Sequence, residues 1–256
     1  MKLTTDCEVT AFVQGAGQGL GLAFTKVLLS HSIADRVYAS FRSPIPSLEL
    51  VNLANQYPER LHLISLDVTI EDSISSAVQQ IERRSSQIHI MINCAGVLHG
   101  LGLKGPEKRL NDLDNQTLLA YFKTNTIGPA LMLKHFTSLF PSKGRVLIGN
   151  ISARVGSIGE NHLGGWYGYR ASKAAQNMIT KTASIELSRK NADLICVGLH
   201  PGTVKTQLSA PFRKRIEPGH ILSPEESATK LINLLLSLSP KDTGLFFSHD
   251  GQILSW

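Results

Sequence analysis

The run Val9-Thr10-Ala11-Phe12-Val13-Gln14-Gly15-Ala16-Gly17-Gln18-Gly19-Leu20-Gly21 changes character halfway. Its first five residues are β-branched or apolar and predict a strand, and the apolar-periodic stretch Leu22 to Leu29 that follows predicts a helix. Between them the glycines let the chain turn tightly and let main-chain N–H groups come close to a ligand, while a helix N-terminus behind them supplies partial positive charge. Strand, glycine loop and helix in that order point to a phosphate-bearing dinucleotide held against the loop.

Outward from this unit, strand-like segments recur at Arg36 to Phe41, Leu61 to Leu66, Ile88 to Ile92, Arg145 to Ile151, Leu194 to Leu199 and Leu245 to Phe247. Helical periodicity separates them over Ile70 to Arg83, Gln116 to Phe140, Ala171 to Arg189 and Pro224 to Leu238. This alternation predicts an α/β fold, a parallel sheet of about seven strands with helices on both faces. No repeat or Pro/Gly/Ser linker divides residues 1–256, so one domain is expected.

Composition narrows the classes. Hydrophobic residues make up 42% of the chain and the mean hydropathy is zero, as in a globular protein with ample core material. No apolar run approaches the roughly 20 residues that span a bilayer. Met1 to Glu8 lacks the charged-then-apolar pattern of a secretory signal, so a cytoplasmic location with no membrane partner is expected. Cys7, Cys94 and Cys196 have neither disulfide nor metal-ligand spacing, and no metal is expected. The net charge of +6 raises nucleic-acid binding, but the one dense basic run, Arg213-Lys214-Arg215, has no aromatic interleaving, and no nucleic-acid partner is expected.

Tyr169 and Lys173 stand four apart where a long helical segment begins. On a helix such positions lie about 5–6 Å apart at Cβ, so the ammonium is expected to lower the phenol from its reference pKa of about 10. A phenol tuned in this way exchanges protons near neutrality. Ligands of a parallel sheet gather at the carboxyl ends of its strands. Those ends carry the glycine loop, Ser40-Phe41-Arg42, Asp67-Val68, Asn93-Cys94-Ala95-Gly96, Ser152 and His200-Pro201-Gly202.

Taken together, these motifs resemble the short-chain dehydrogenase/reductase family over the whole chain. Gly15, Gly19 and Gly21 fit its glycine loop with Gln14 in the usual threonine place; Asn93-Cys94-Ala95-Gly96 fits its N-N-A-G; and Pro201-Gly202-Thr203-Val204-Lys205-Thr206 fits its P-G-x-V-x-T. Tyr-Arg-Ala-Ser-Lys at 169–173, Gly164-Gly165-Trp166 and the ending Asp250-Gly251 to Trp256 resemble the C-factor/sniffer-like carbonyl reductase subgroup. The resemblance implies a Rossmann-type doubly wound domain, a catalytic set of Asn125, Ser152, Tyr169 and Lys173, and a water relay from Lys173 past Asn125. It implies cofactor contacts from Gly15, Gly17, Gln18, Gly19, Leu20, Gly21, Arg42, Asp67, Val68, Asn93, Ala95, Gly96, Tyr169, Lys173, Pro201, Gly202, Val204 and Thr206. In the family Asp67 meets the adenine amino group, Lys173 the nicotinamide ribose, and the segment from Pro201 the carboxamide.

Two positions depart from or refine the pattern. The family's paired serines are Ser152-Ala153 here, which strictly puts Ala153 at the carbonyl-polarising place, so that Ser152, Ser157 or water must supply the donor, or the enzyme is weakened. Arg42 ends the second strand where an acid would accept from a ribose 2′-hydroxyl; an arginine pairs with a 2′-phosphate instead, so NADP(H) is expected over NAD(H). The short segment 209–222 is expected to cover a cleft for a small-molecule carbonyl substrate. Ala174, Ala175, Met178, Ile179, Ala183 and Leu187, with the helix around Leu131 to Phe136, are expected to form a homodimer or homotetramer face. The function expected is NADP(H)-dependent carbonyl/alcohol oxidoreduction, the alternative an NADP-binding sensor or signalling protein with little catalysis.

Overall fold

The computed structural model describes residues 8–84, 87–100, 102–103, 105–215 and 217–256. In chain order the strands and α-helices are β1 (Thr10–Gln14), α1 (Gly19–Ser30), β2 (Arg36–Phe41), α2 (Leu48–Gln56), β3 (Leu61–Ser65), α3 (Glu71–Glu82), β4 (Ile90–Asn93), α4 (Asn115–Phe122) and α5 (Gly128–Phe136). They continue with β5 (Val146–Ile151), α6 (Tyr167–Lys190), β6 (Leu194–His200), β7 (Thr203–Val204), β8 (Ile221–Leu222), α7 (Pro224–Ser237) and β9 (Phe246–Ser248). Seven strands form one parallel sheet in the order β3-β2-β1-β4-β5-β6-β9.

Residue alternation along each strand assigns the two faces. Ala11, Val13, Val37, Ala39, Ile90, Ile92, Ile195 and Val197 pack with Leu28 of α1, Leu50 of α2 and Leu231 and Leu235 of α7. Their neighbours Phe12, Tyr38, Met91, Ile148 and Cys196 point the other way, against Ile74 and Ile81 of α3, Met132 and Phe136 of α5 and Leu187 of α6. A period of two puts successive side chains on opposite faces, and both faces here are apolar because helices cover both. Each strand therefore reads as a continuous hydrophobic run. Phe12 and Phe136 meet at 4.4 Å between ring centroids and join the middle of the sheet to α5.

The order of the sheet reverses between β1 and β4, the place where open parallel sheets hold their ligands. The chain steps outward from β1 to β2 and β3, then returns to lay β4 on the other side of β1. At such a reversal the helices that follow the strands go to opposite faces of the sheet, and a crevice forms at its carboxyl edge.

One expected helix is broken. The stretch Gln116 to Phe140 folds as α4, a π-helical turn over Lys123–Ile127, α5 and a short 3-10 turn, rather than as one continuous helix. Pro129 has no N–H to continue the i to i−4 ladder, and Gly128 donates five residues back to Lys123. A Cβ on Gly128 would lie 2.9 Å from Val68, so the helix also passes the β3 loop at glycine distance. α2, the β7–β8 pair and the 3-10 turns come without a counterpart in the periodicity.

Candidate active site

The glycine loop is held by its neighbours and leaves its helix end open. Gly15 N donates to Ser40 Oγ (3.2 Å) and Ala16 N to Ser40 O (2.7 Å), which ties the loop to the end of β2. Gln14, in the place where the family has threonine, accepts at Oε1 from Ala95 N (2.7 Å) and so spans the switch point. Gly15 and Gly19 have φ of 78° and 57°, values that disfavour a side chain. At Gly21 a Cβ would run into the carbonyl oxygen of Gly15. Gln18, the residue before α1, offers no side-chain cap, and the first turn carries no acid, so its N–H groups face the crevice unpaired by a side chain. Such a cradle, with unsatisfied donors at a helix start, fits a diphosphate.

Other strand ends close around it. Arg42 is exposed directly after β2 and makes no hydrogen bond or ion pair with a described residue, while Gly17 approaches the preceding Phe41. Asp67 Oδ1 accepts from Thr69 N and Thr69 Oγ1 (both 2.8 Å), which orients the carboxylate and leaves Oδ2 unpaired among the described residues. Asn93 Nδ2 donates to Asn150 Oδ1 (2.7 Å), a buried amide pair between β4 and β5, and Asn93 Oδ1 is buried with no partner among the described residues. Gly202, with φ of 75°, turns the chain after β6, and β7 then pairs with β8. This brings Thr206 Cγ2 to within 3.2 Å of where a Gly19 Cβ would be, joining the Pro201 to Thr206 segment to the glycine loop.

The π turn and α6 supply the remaining groups. Asn125, fully buried, accepts at Oδ1 from Val97 N (2.8 Å) and donates from Nδ2 to Val97 O (3.0 Å) and Ser172 Oγ (3.1 Å). It thereby fixes the chain just after Gly96. Lys173 Nζ donates to Ile151 O (3.0 Å) and Gln176 Oε1 (2.8 Å), and burial pulls its ammonium down to about 8. The phenol of Tyr169 is pushed up, first by burial and then by the neighbouring Tyr121, and is not pulled down by Lys173. The spacing of four does place both side chains on one stripe of α6. The long lysine stem, however, carries its charge to the β5 carbonyl instead of the phenol, so within the protein alone Tyr169 is a firmly protonated acid.

Ser152 directs its hydroxyl to α6. Its Oγ donates to Asn177 Oδ1 (2.6 Å), two turns further along α6 than Tyr169, and the side chain is buried. The strand-end alternation decides this: Ser152 points to the helix behind, and Ala153 packs against the cluster of Val97, Leu98, Tyr121 and Tyr169. Ser157 is also engaged elsewhere, donating to Trp256 O (3.3 Å) and accepting from Glu160 N (3.2 Å).

Further side chains line the start of α6. Trp166 precedes α6 in the left-handed region at φ of 56°, with its ring 6.1 Å from Tyr169 and 4.8 Å from Phe212. Glu107 is buried and accepts from Gly168 N (3.2 Å), capping α6 from a distant loop. Gln176 and Asn177 position Lys173 and Ser152. Segment 209–222 forms short 3-10 turns around Ala210–Arg215 and Pro218–His220, and it contributes Phe212 to the wall near Tyr169.

Of the apolar residues expected at a subunit face, Leu187 is buried and Ile179 and Ala183 pack on the core, whereas Met178 is exposed. Ile185, Leu119 and Ile127 are exposed as well. Cys94 and Cys196 form no disulfide, and Cys7 lies outside the described residues. Among the described residues no three His, Cys, Asp or Glu side chains group as a metal site, and no helix is long and apolar enough to cross a membrane.

Comparison with known proteins agrees with this geometry. The short chain dehydrogenase family model matches residues 9–217. An uncharacterised oxidoreductase of Saccharomyces cerevisiae is 30% identical, covering 98% of each chain. The structure of an NADPH-bound carbonyl reductase from chicken fatty liver superposes with a TM-score of 0.86 at 30% identity, covering 98% of this chain and all of that one. The carbonyl reductase Sniffer of Drosophila melanogaster superposes at 0.82 with 28% identity, over 97% and 99% of the two chains. The glycine cradle, the Asn125 turn and the Tyr169/Lys173 helix thus sit on a shared scaffold, and the chain belongs to the short-chain dehydrogenase/reductase family of oxidoreductases.

Proposed function

We propose that the protein is an NADP(H)-dependent carbonyl reductase in which Tyr169 is the proton donor and acceptor. What supports this reading is the glycine loop packed against Ala95, with Gly96 beside Asn125 Oδ1 and Lys173 Nζ, and an exposed Arg42 after β2 that pairs with no described residue. Nicotinamide, when bound, supplies hydride chemistry, so the protein has to orient it and manage one proton.

Gly15 to Gly21 and the first turn of α1 receive the diphosphate, and Arg42 receives the 2′-phosphate by charge-assisted hydrogen bonds. Asp67 Oδ2 and the Asn93 to Gly96 strand end face the adenosine side, with Val68 beneath. Pro201, Gly202, Val204 and Thr206 border the nicotinamide end. Tyr169 O–H protonates the oxygen of a substrate carbonyl as charge develops there. Lys173 holds ribose hydroxyls and keeps positive charge near that proton, which is resupplied along the Asn125 turn. The site is cytoplasmic in this reading and its substrate a small carbonyl compound. A two-fold dimer buries Met178, Ile185, Leu119 and Ile127, whose exposure is otherwise costly.

Tyr169→Phe is expected to bind NADPH as the parent does and to lose carbonyl reduction by about 10²–10⁴-fold, the usual worth of a positioned acid. Undiminished turnover would rule out Tyr169 as the proton donor. Ser152→Ala is expected to change turnover less than about threefold and to lower the urea midpoint by the equivalent of about 1–3 kcal/mol, the cost of stranding a buried hydrogen-bond partner. A drop of 10²-fold in turnover would return Ser152 to the reacting centre. Arg42→Asp is expected to weaken NADPH by about 10–100-fold in calorimetric titration and NADH much less. An unchanged ratio would place Arg42 away from the 2′-phosphate. Light scattering at micromolar concentration is expected to give twice 27.9 kDa; the monomer mass throughout would refute the dimer.

A further inference from the structure

The residues after β9 form a short hairpin that no step of the reduction uses. The chain turns at Asp250-Gly251, where Gly251 has φ of 87° and donates from N to Ser248 O (2.9 Å). On the way back Phe247 pairs with Ile253, Ser248 N donates to Gln252 O (2.8 Å) and Leu254 N to Phe246 O (2.8 Å). Leu254 is buried, and the Trp256 indole stacks on Phe246 with 5.4 Å between ring centroids and 14° between planes. The same indole passes Gly198 of β6, where a Cβ would lie 3.6 Å from it. Trp256 is therefore seated on the sheet by its ring.

What the seated residue holds is the turn after β5. Trp256 O accepts from Ile158 N (3.1 Å), Gly159 N (3.2 Å) and Ser157 Oγ (3.3 Å), so three donors of one turn converge on a single carbonyl. The Ile158 side chain is exposed and adds no packing of its own. At its near end the turn is tied to β6 by Arg154 N, which donates to His200 Nδ1 (3.3 Å), and Trp256 holds the far end. Arg154 also pairs with Glu160 (3.0 Å), a contact that fastens the turn to itself and not to the sheet. On its other side the turn lies against α6. A Cβ on Gly156 would come 2.7 Å from Lys173 Cβ and 3.0 Å from the Lys173 carbonyl carbon. Val155 O accepts from Arg170 Nη1 (3.2 Å), and Ala153 and Val155 pack on the cluster that contains Tyr169.

Resting on the reductase reading above, we propose that Trp256 is a positioning residue for the reaction: its indole anchors the carbonyl that holds residues 157–159, and the turn so held keeps Tyr169 and Lys173 in place on α6. A misplacement of about 1 Å at a reacting group, caused far from the chemistry, can cost about 10²-fold in rate. Strands β6, β5 and β4 separate β9 from β1, so the hairpin lies on the other half of the sheet from the glycine loop. Loss of the anchor therefore acts on turnover and spares cofactor binding.

The test compares the parent protein with Trp256→Ala and Trp256→Phe, each well below its unfolding midpoint. The readouts are kcat with saturating NADPH and para-nitrobenzaldehyde as the probe carbonyl, the NADPH Kd by calorimetric titration, and hydrogen exchange at the Ile158 and Gly159 amides. Trp256→Ala is expected to lower kcat by about 10–100-fold, to leave the NADPH Kd within about threefold, and to speed exchange at both amides. Trp256→Phe still stacks on Phe246 and is expected to recover kcat to within about threefold of the parent. A folded Trp256→Ala protein with parental kcat, or a loss that Trp256→Phe does not repair, overturns the positioning role and leaves the reductase standing. No turnover by the parent, with NADPH bound, overturns both. Trp256→Leu keeps an apolar side chain without the stack and is read in the same way as Trp256→Ala, so the inference stays testable if the alanine variant fails to fold.

Discussion

The approach of Gly21 to the carbonyl of Gly15 is the constraint on which the site depends. No side chain fits between them, so α1 starts directly behind the end of β1 and its first N–H groups face the crevice. Gln14 and Ser40 then hold the loop from two sides, through Ala95 N and through Gly15 N and Ala16 N. Because β4 lies beside β1, the same contact fixes Ala95 and Gly96. Asn125, clamped on Val97 only one residue later, sets the height of the π turn against α6. The position of Tyr169 therefore follows from backbone packing at the glycine loop more than from anything in its own helix.

Much of this was legible in the residues. Every strand of the main sheet falls within one or two residues of its predicted bounds, since buried parallel strands are continuous apolar runs ended by glycine, asparagine or proline. The glycine loop, the Asn93 to Gly96 strand end and the Tyr169/Lys173 stripe are local patterns, and the structure brings them to one crevice. α2 has no clear period because only Leu50 and Leu53 are buried in it, with Ala54 half-buried beside them, too narrow a stripe to register. The break between residues 116 and 140 is legible in Gly128-Pro129, a pair that can kink a helix, although the apolar residues continue across the π turn and give no sign of it.

The chemistry of the site was less legible, because it depends on where side chains end rather than where they begin. A spacing of four places Tyr169 and Lys173 together at Cβ, yet the ammonium finds Ile151 O and Gln176 Oε1 at the far end of its stem. Ser152 and Ala153 are adjacent in sequence and opposite in space, and which one faces the crevice is fixed by pairing of β5 with β6 through Ser152 N and Leu199 O. Glu107 and Trp166 reach the start of α6 from a loop and from a left-handed residue that carry no periodic signal. These are tertiary facts, and they leave Tyr169 as the hydroxyl of its cluster without a hydrogen bond to a described residue.

The central claim is that this crevice passes a hydride directly from a nicotinamide to a carbonyl carbon while Tyr169 provides the proton. Incubation with an aryl ketone and NADPH dideuterated at nicotinamide C4, followed by mass spectrometry of the product, tests it most directly. The account predicts an alcohol with one deuterium on the carbinol carbon, and none there when unlabelled NADPH is used in D2O. A product without the label, or bound NADPH that is never consumed, would contradict it.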